Sequence, residues 1–96
     1  MSIAILNEES IAGWLDGRKG WKRDGESITK LFRFSSFRDS IVFVNRVATI
    51  ADTVKHHPDI DIRNDRVFLS VTTQDAGGLT ETDFDLAQRV DFANSH

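Results

Sequence analysis

The chain has 96 residues, 40% hydrophobic and 28% charged, with one Pro, three His and no Cys, the composition of one small globular domain spanning 1–96. The lack of Cys excludes a disulfide framework, a thiolate metal site and a cysteine nucleophile, which leaves His, Asp, Glu, Ser, Thr and Lys for any chemistry. Twelve Lys and Arg against fifteen Asp and Glu give a net charge of -3, and the basic residues are spread along the chain, which argues against direct nucleic-acid binding.

The start, MSIAILNEES, has neither the basic segment nor the apolar run of a signal peptide, and no segment approaches the roughly 20 apolar residues of a membrane span. A cytoplasmic protein without membrane contact is expected. Asn7 before Glu8-Glu9-Ser10 suits a helix N-terminus, and Ile11, Trp14 and Leu15 fall on one helical face up to Gly17. Asp24-Gly25 is a hairpin-turn signal, and Ser27–Phe34 (SITKLFRF) places Ile28, Phe32 and Phe34 at alternate positions, which predicts two antiparallel strands.

Ser35-Ser36 offers an N-cap for the longest helix. Its apolar stripe is expected to run through Phe37, Ile41, Val44, Ala48 and Ala51, widened by Val42, Phe43, Val47 and Ile50, as far as Pro58, which cannot continue a helix. A second hairpin follows, from the alternating Asp59-Ile60-Asp61-Ile62-Arg63 through the turn Asn64-Asp65 to Val67, Leu69 and Val71. Gln74–Gly78 reads as a loop. Thr80, three residues before Asp83, resembles a capping box opening a last helix with Phe84, Ala87, Val90 and Ala93 on its apolar face.

The order α-β-β-α-β-β-α predicts an α+β fold in which three helices cover one face of a four-stranded antiparallel sheet. The bare sheet face and the sheet edges are natural association surfaces. A domain this small buries only about 60 to 68% of the surface its unfolded chain exposes, so a homodimer or tetramer is expected to complete it.

The unusual local feature is His56-His57-Pro58 at the end of the long helix. Histidines there interact well with the helix dipole and the free carbonyls, and Pro is a common stop, so the segment has a structural reading. It also has a functional one, because imidazoles as a class titrate near neutrality and an adjacent pair can supply acid and base to one substrate. A metal site lacks support: side chains of adjacent His at a helix end diverge, and the third His, the terminal His96, stands at no recognised spacing, although Asp59, Asp61 or Asp75 could serve in principle. The loop DAGGLT lacks a dinucleotide or P-loop pattern, and no GxSxG elbow accompanies the Ser and Thr residues.

Asp52-Thr-Val-Lys-His56-His57-Pro58, continued by Gln74, Asp75, Ala76-Gly77-Gly78-Leu79-Thr80 and Asp83, resembles the pterin-4a-carbinolamine dehydratase family. The family pattern is an acid, three residues, His-His-Pro, five or six residues, an aromatic, nine residues, His or Trp, then eight or more residues and an Asp. Asp52, His56, His57, Pro58 and Asp83 stand at the matching places, and FRF with FVNRVA is similar to the second strand and long helix of bacterial members. Two positions depart: Asn64 replaces the aromatic, which touches turn packing or a pocket wall, and Gln74 replaces the third His. A neutral amide can orient a ligand but cannot exchange a proton near pH 7.

The resemblance implies loss of water from a 4a-hydroxytetrahydropterin, giving a quinonoid dihydropterin, with no redox cofactor or metal. One group protonates the departing C4a hydroxyl and another takes a ring-nitrogen proton; His56 and His57 are the candidates, in an order the sequence leaves open. Asp52, at i, i+4 from His56, is placed to tune the pair. Gln74 and Asp75 are expected to line the site, and Asp83 to cap the last helix, to serve the pocket, or to do both. The alternative reading is an inactive dehydratase-like dimerisation or assembly factor with a protein partner, of the transcription-cofactor or RuBisCO-assembly type.

Overall fold

The computed structural model describes residues 4–94. Asn7 accepts a hydrogen bond from the Ser10 N–H at 2.8 Å and opens α1 (Glu8–Asp16), which ends at Gly17. Strands β1 (Lys22–Asp24) and β2 (Ser27–Arg33) follow, joined by a tight turn in which Gly25 takes φ +61°, a value favourable to glycine. Ser36 caps α2 (Phe37–Val54) by accepting from the Asp39 N–H at 3.1 Å. Strands β3 (Asp59–Arg63) and β4 (Arg66–Val71), then a single 3₁₀ turn over Gln74–Ala76, lead to α3 (Glu81–Asn94). The element order is the expected α-β-β-α-β-β-α.

The strands form one antiparallel sheet in the order β1-β2-β4-β3. Pairing of Ile28 with Val71 and of Phe32 with Val67 fixes the register, so Ile28, Phe32, Val67, Leu69 and Val71 all face the helices. Phe43 and Val47 from α2 and Leu86, Ala87 and Val90 from α3 close this core, and Trp14 of α1 stacks on Phe84 at 4.3 Å between ring centres. Leu86 is fully buried although the sequence pattern did not select it. Among the described residues no helix is long and apolar enough to cross a membrane.

Two expectations for α2 need correction. Its core face is Ser40, Phe43, Val47 and Ala51, not the stripe through Phe37, Ile41 and Ala48; Phe37 is 54% exposed and Ala48 is also exposed. The cause is Ser40, which is fully buried with its hydroxyl bonded to the Ser36 carbonyl at 3.3 Å, so the true stripe passes through a polar residue that an apolar count skips. The helix also stops at Val54, before the His pair. Lys55 turns into the left-handed region at φ 58°, and the Lys55 and His56 N–H groups both return to the Ala51 carbonyl, a C-terminal cap that His57, restrained by the following Pro, cannot extend.

Left-handed backbone costs a non-glycine residue about 1–2 kcal/mol, of which glycine's greater freedom in the unfolded chain takes back part. Lys55→Gly is therefore expected to raise stability by about 0.5–1 kcal/mol, seen as a higher urea midpoint at unchanged slope. A lower midpoint would contradict it.

Candidate active site

The C-terminal cap of α2 delivers His56 and His57 to the end of the sheet where β3 begins and β4 runs into the 3₁₀ turn. There His56, His57, Gln74 and Asp75 line one pocket of about 290 Å³ together with Asp59, Ser70, Thr72 and Thr73. That volume lies near the lower end of the range for small-molecule sites. The His pair does diverge, as its position at a helix end predicts. His56 is turned inward to the start of α3, with Nε2 2.5 Å from Asp83 Oδ1, whereas His57 faces outward with Nε2 2.9 Å from Asp52 Oδ1.

Asp52 thus meets the pair at His57, five residues on, rather than at His56, to which the i, i+4 spacing pointed. The left-handed Lys55 takes His56 off the helical track before the side chains could meet. Both members of the outer pair are largely exposed, His57 at 63% and Asp52 at 78%, so water screens their attraction. The inner pair is different: the His56 side chain is 15% exposed and that of Asp83 0%.

Asp83 is the hub. Its Oδ2 accepts from the Thr80 N–H at 3.0 Å and from the Thr73 hydroxyl at 2.8 Å. Thr73 has one proton and spends it on Asp83, so the 2.9 Å contact between the two threonine hydroxyls has Thr80 as donor, and Thr80 Oγ1 accepts in turn from the Thr82 N–H at 3.3 Å. Thr80 and Asp83 therefore make a cap of the kind expected of them, and the other oxygen of the same carboxylate holds His56, which lines the pocket, while Asp83 itself is buried behind it and is not a lining residue. The Thr80 N–H and the Thr73 hydroxyl are two donors to one carboxylate, which as an ionised group can only accept, so its contact with His56 makes Nε2 an N–H and leaves Nδ1 as that ring's remaining nitrogen.

Gln74 and Asp75 are exposed residues of the pocket wall. Pro58 is partly buried between the His pair and β3 and is not a lining residue. Asn64 lies away from the pocket in the β3–β4 turn at φ 54°, a conformation that Asn tolerates well, so of its two expected effects the turn is the one it touches. His96 lies outside the described residues. Asp59 and Asp75 enter the pocket but Asp61 does not, and among the described residues no three His, Asp or Glu side chains are grouped to hold a metal ion. Sequence reasoning missed the active-site contribution of Thr73; its place beside Gln74 in the TTQDAGGLT segment was the available signal.

Known proteins are similar to this chain in sequence and in fold. The family model described as Pterin 4 alpha carbinolamine dehydratase matches residues 4–93. A relative from Roseiflexus castenholzii is 50% identical over 88 residues, covering 92% of this chain and 95% of its own, and one from Thermomicrobium roseum is 44% identical over the same shares; both carry the name "Putative pterin-4-alpha-carbinolamine dehydratase". A crystal structure of a transcriptional coactivator/pterin dehydratase from Brucella melitensis superposes with a TM-score of 0.86 at 28% identity, covering 91% of this chain and 95% of that one. With the model match spanning nearly every described residue, the chain belongs to the pterin-4a-carbinolamine dehydratase family.

Proposed function

We propose that the protein is a pterin-4a-carbinolamine dehydratase of tetrahydropterin recycling, a hydro-lyase in which His56 and His57 form the acid–base pair. The observation that carries this reading is the buried Asp83–His56 contact beside an open, solvated His57 in one pocket. The substrate must lose hydroxide from C4a and a proton from a ring nitrogen, which together make one water. His57 gives a proton to the departing hydroxyl, the C4a–O bond breaks, and His56 Nδ1 takes the ring-nitrogen proton. Asp83 then accepts the charge-assisted hydrogen bond of the protonated His56 ring. Solvent returns His56 and His57 to their starting states, which the exposure of His57 permits. Asp59, Asp75, Ser70 and Thr72 supply acceptors and donors for the polar edge of the pterin.

The protein at micromolar concentration is expected to speed the dehydration of a chemically generated 4a-hydroxytetrahydropterin, followed by ultraviolet absorbance. A rate equal to the spontaneous one would sink the enzyme reading and favour the assembly-factor alternative. Gln74 belongs to the same proposal as the residue that weakens the reaction, because its amide cannot carry a proton. Gln74→His is expected to raise kcat on the order of tenfold. An unchanged kcat would place Gln74 outside the reacting centre.

Self-association and a cytoplasmic location complete the reading. Every residue of β3 is exposed although it includes Ile60 and Ile62, and Phe37 and Val42 leave apolar surface on α2; edge pairing and helix packing between copies would cover both. Size-exclusion chromatography with light scattering is expected to show a dimer or tetramer, and a strict monomer would contradict it.

A further inference from the structure

We infer that the open face of the sheet carries a subsite continuous with the pocket, which holds an anionic group at the end of the pterin's side chain; this rests on the pocket's reading as a pterin site. Three arginines stand in one row. Arg33 ends β2, Arg66 begins β4 directly opposite it, and Arg63 ends β3 opposite Arg66. Residues opposite one another in register share a face, and like charges there repel. Arg63 is paired with Asp61 at 3.2 Å, but among the described residues the guanidinium groups of Arg33 and Arg66 have no hydrogen bond or ion pair, and the Asp65 carboxylate in the adjoining turn meets neither of them. Two repelling pairs at the exposed end of a sheet, with two uncompensated guanidinium groups, form a receptor for carboxylate or phosphate.

The neighbouring rows say what the anion is attached to. Next towards the pocket come Asp61, Phe68 and Leu31 in register, and the exposed Phe68 and Leu31 line a groove of about 270 Å³ with Asp61, Arg63 and Arg66. The row after that is Asp59 and Ser70, which already line the His56–His57 pocket. From Ser70 to Arg66 along β4 is a span of about 13 Å at roughly 3.3 Å per residue. Along one face the order is polar pocket, apolar step, row of arginines. A pterin whose 6-substituent has an aromatic or aliphatic linker and a terminal carboxylate or phosphate matches that order.

The test compares three 4a-hydroxytetrahydropterins: one with a methyl group at position 6, one with an aryl linker ending in carboxylates, and one of equal reach ending in phosphate. A tailed substrate is expected to show a kcat/KM at least about tenfold above the methyl compound, an advantage that shrinks at high salt. An advantage confined to one tail supports the subsite and identifies its anion. Arg33→Gln with Arg66→Gln should bring the ratio close to one, whereas Arg38→Gln, which removes an exposed charge from α2, should keep it. Equal kcat/KM for all three, or a ratio untouched by the double variant, overturns the inference. If none of the three is dehydrated, the dehydratase reading falls, and the fluorescence of the stable oxidised pterins decides the subsite: binding about tenfold tighter with a tail supports it, and equal affinity overturns it. An acidic peptide that binds the arginine row while tailed pterins gain nothing also overturns it, in favour of a protein-docking surface.

Discussion

Asp83→Asn is expected to lower kcat for dehydration by about 10²- to 10⁴-fold and folding stability by about 1–3 kcal/mol. The substitution keeps the shape of the side chain but replaces one oxygen by an NH₂ group. The Thr80 N–H is a fixed donor at 3.0 Å, so the remaining oxygen stays with it and the NH₂ turns to His56. His56 Nε2 must then accept, which moves the ring proton to Nδ1, the nitrogen proposed to take a proton from the substrate. The ring remains in place in the wrong tautomer, the loss expected when the aspartate behind a catalytic histidine becomes an amide. Stability and rate separate the two roles of Asp83. A stability loss with kcat within a few-fold of the parent would make it a helix cap alone.

The second large effect lies in the two histidines, and it should differ between them. His56→Ala and His57→Ala are each expected to reduce kcat by about 10²- to 10⁴-fold, but free imidazole in the buffer should restore part of the rate only to His57→Ala. His57 stands open to solvent, so a small imidazole can occupy its place. Removing His56 instead leaves Asp83 Oδ1 buried without its partner, which adds a stability loss of about 1–3 kcal/mol. Thermal unfolding and steady-state kinetics on the two variants check both halves. Equal rescue of the two, or rescue of His56→Ala alone, would reverse the assignment of an inner and an outer ring.

Much of this was legible in the chain because local chemistry decides it. Asn7, Ser36 and Thr80 announce three helix starts through side chains that satisfy backbone donors a few residues away, and Gly25 and Asn64 announce two turns through the φ values they tolerate. The strands follow from alternation, since one buried face suffices to set their register. The face of α2 was not legible. Its apolar residues occupy more than one side, and the position that decides between them, Ser40, is polar but bonded back to its own helix and so costs little to bury.

The candidate site divides in the same way. The His-His-Pro segment and the Thr80–Asp83 spacing are local signals, and both lead to the pocket. The contact between His56 and Asp83 joins residues 27 apart in sequence, and no periodicity encodes it; only the resemblance to a family pattern placed the two in one motif. Asp52 shows how a local rule fails. The i, i+4 relation presumes that the helix continues to His56, and a single left-handed residue at Lys55 ends it first.

The double duty of Asp83 also bears on how distant relatives should be classified. A lineage that gave up dehydration for another role would still need an acceptor at the first turn of α3, because the Thr80 N–H and the Thr73 hydroxyl are buried there whatever the pocket does. Keeping this aspartate is therefore no sign that a sequence encodes an enzyme. The telling position is the outer histidine, His57, which stands open to solvent beside an equally open Asp52 and is free to drift once catalysis is no longer selected.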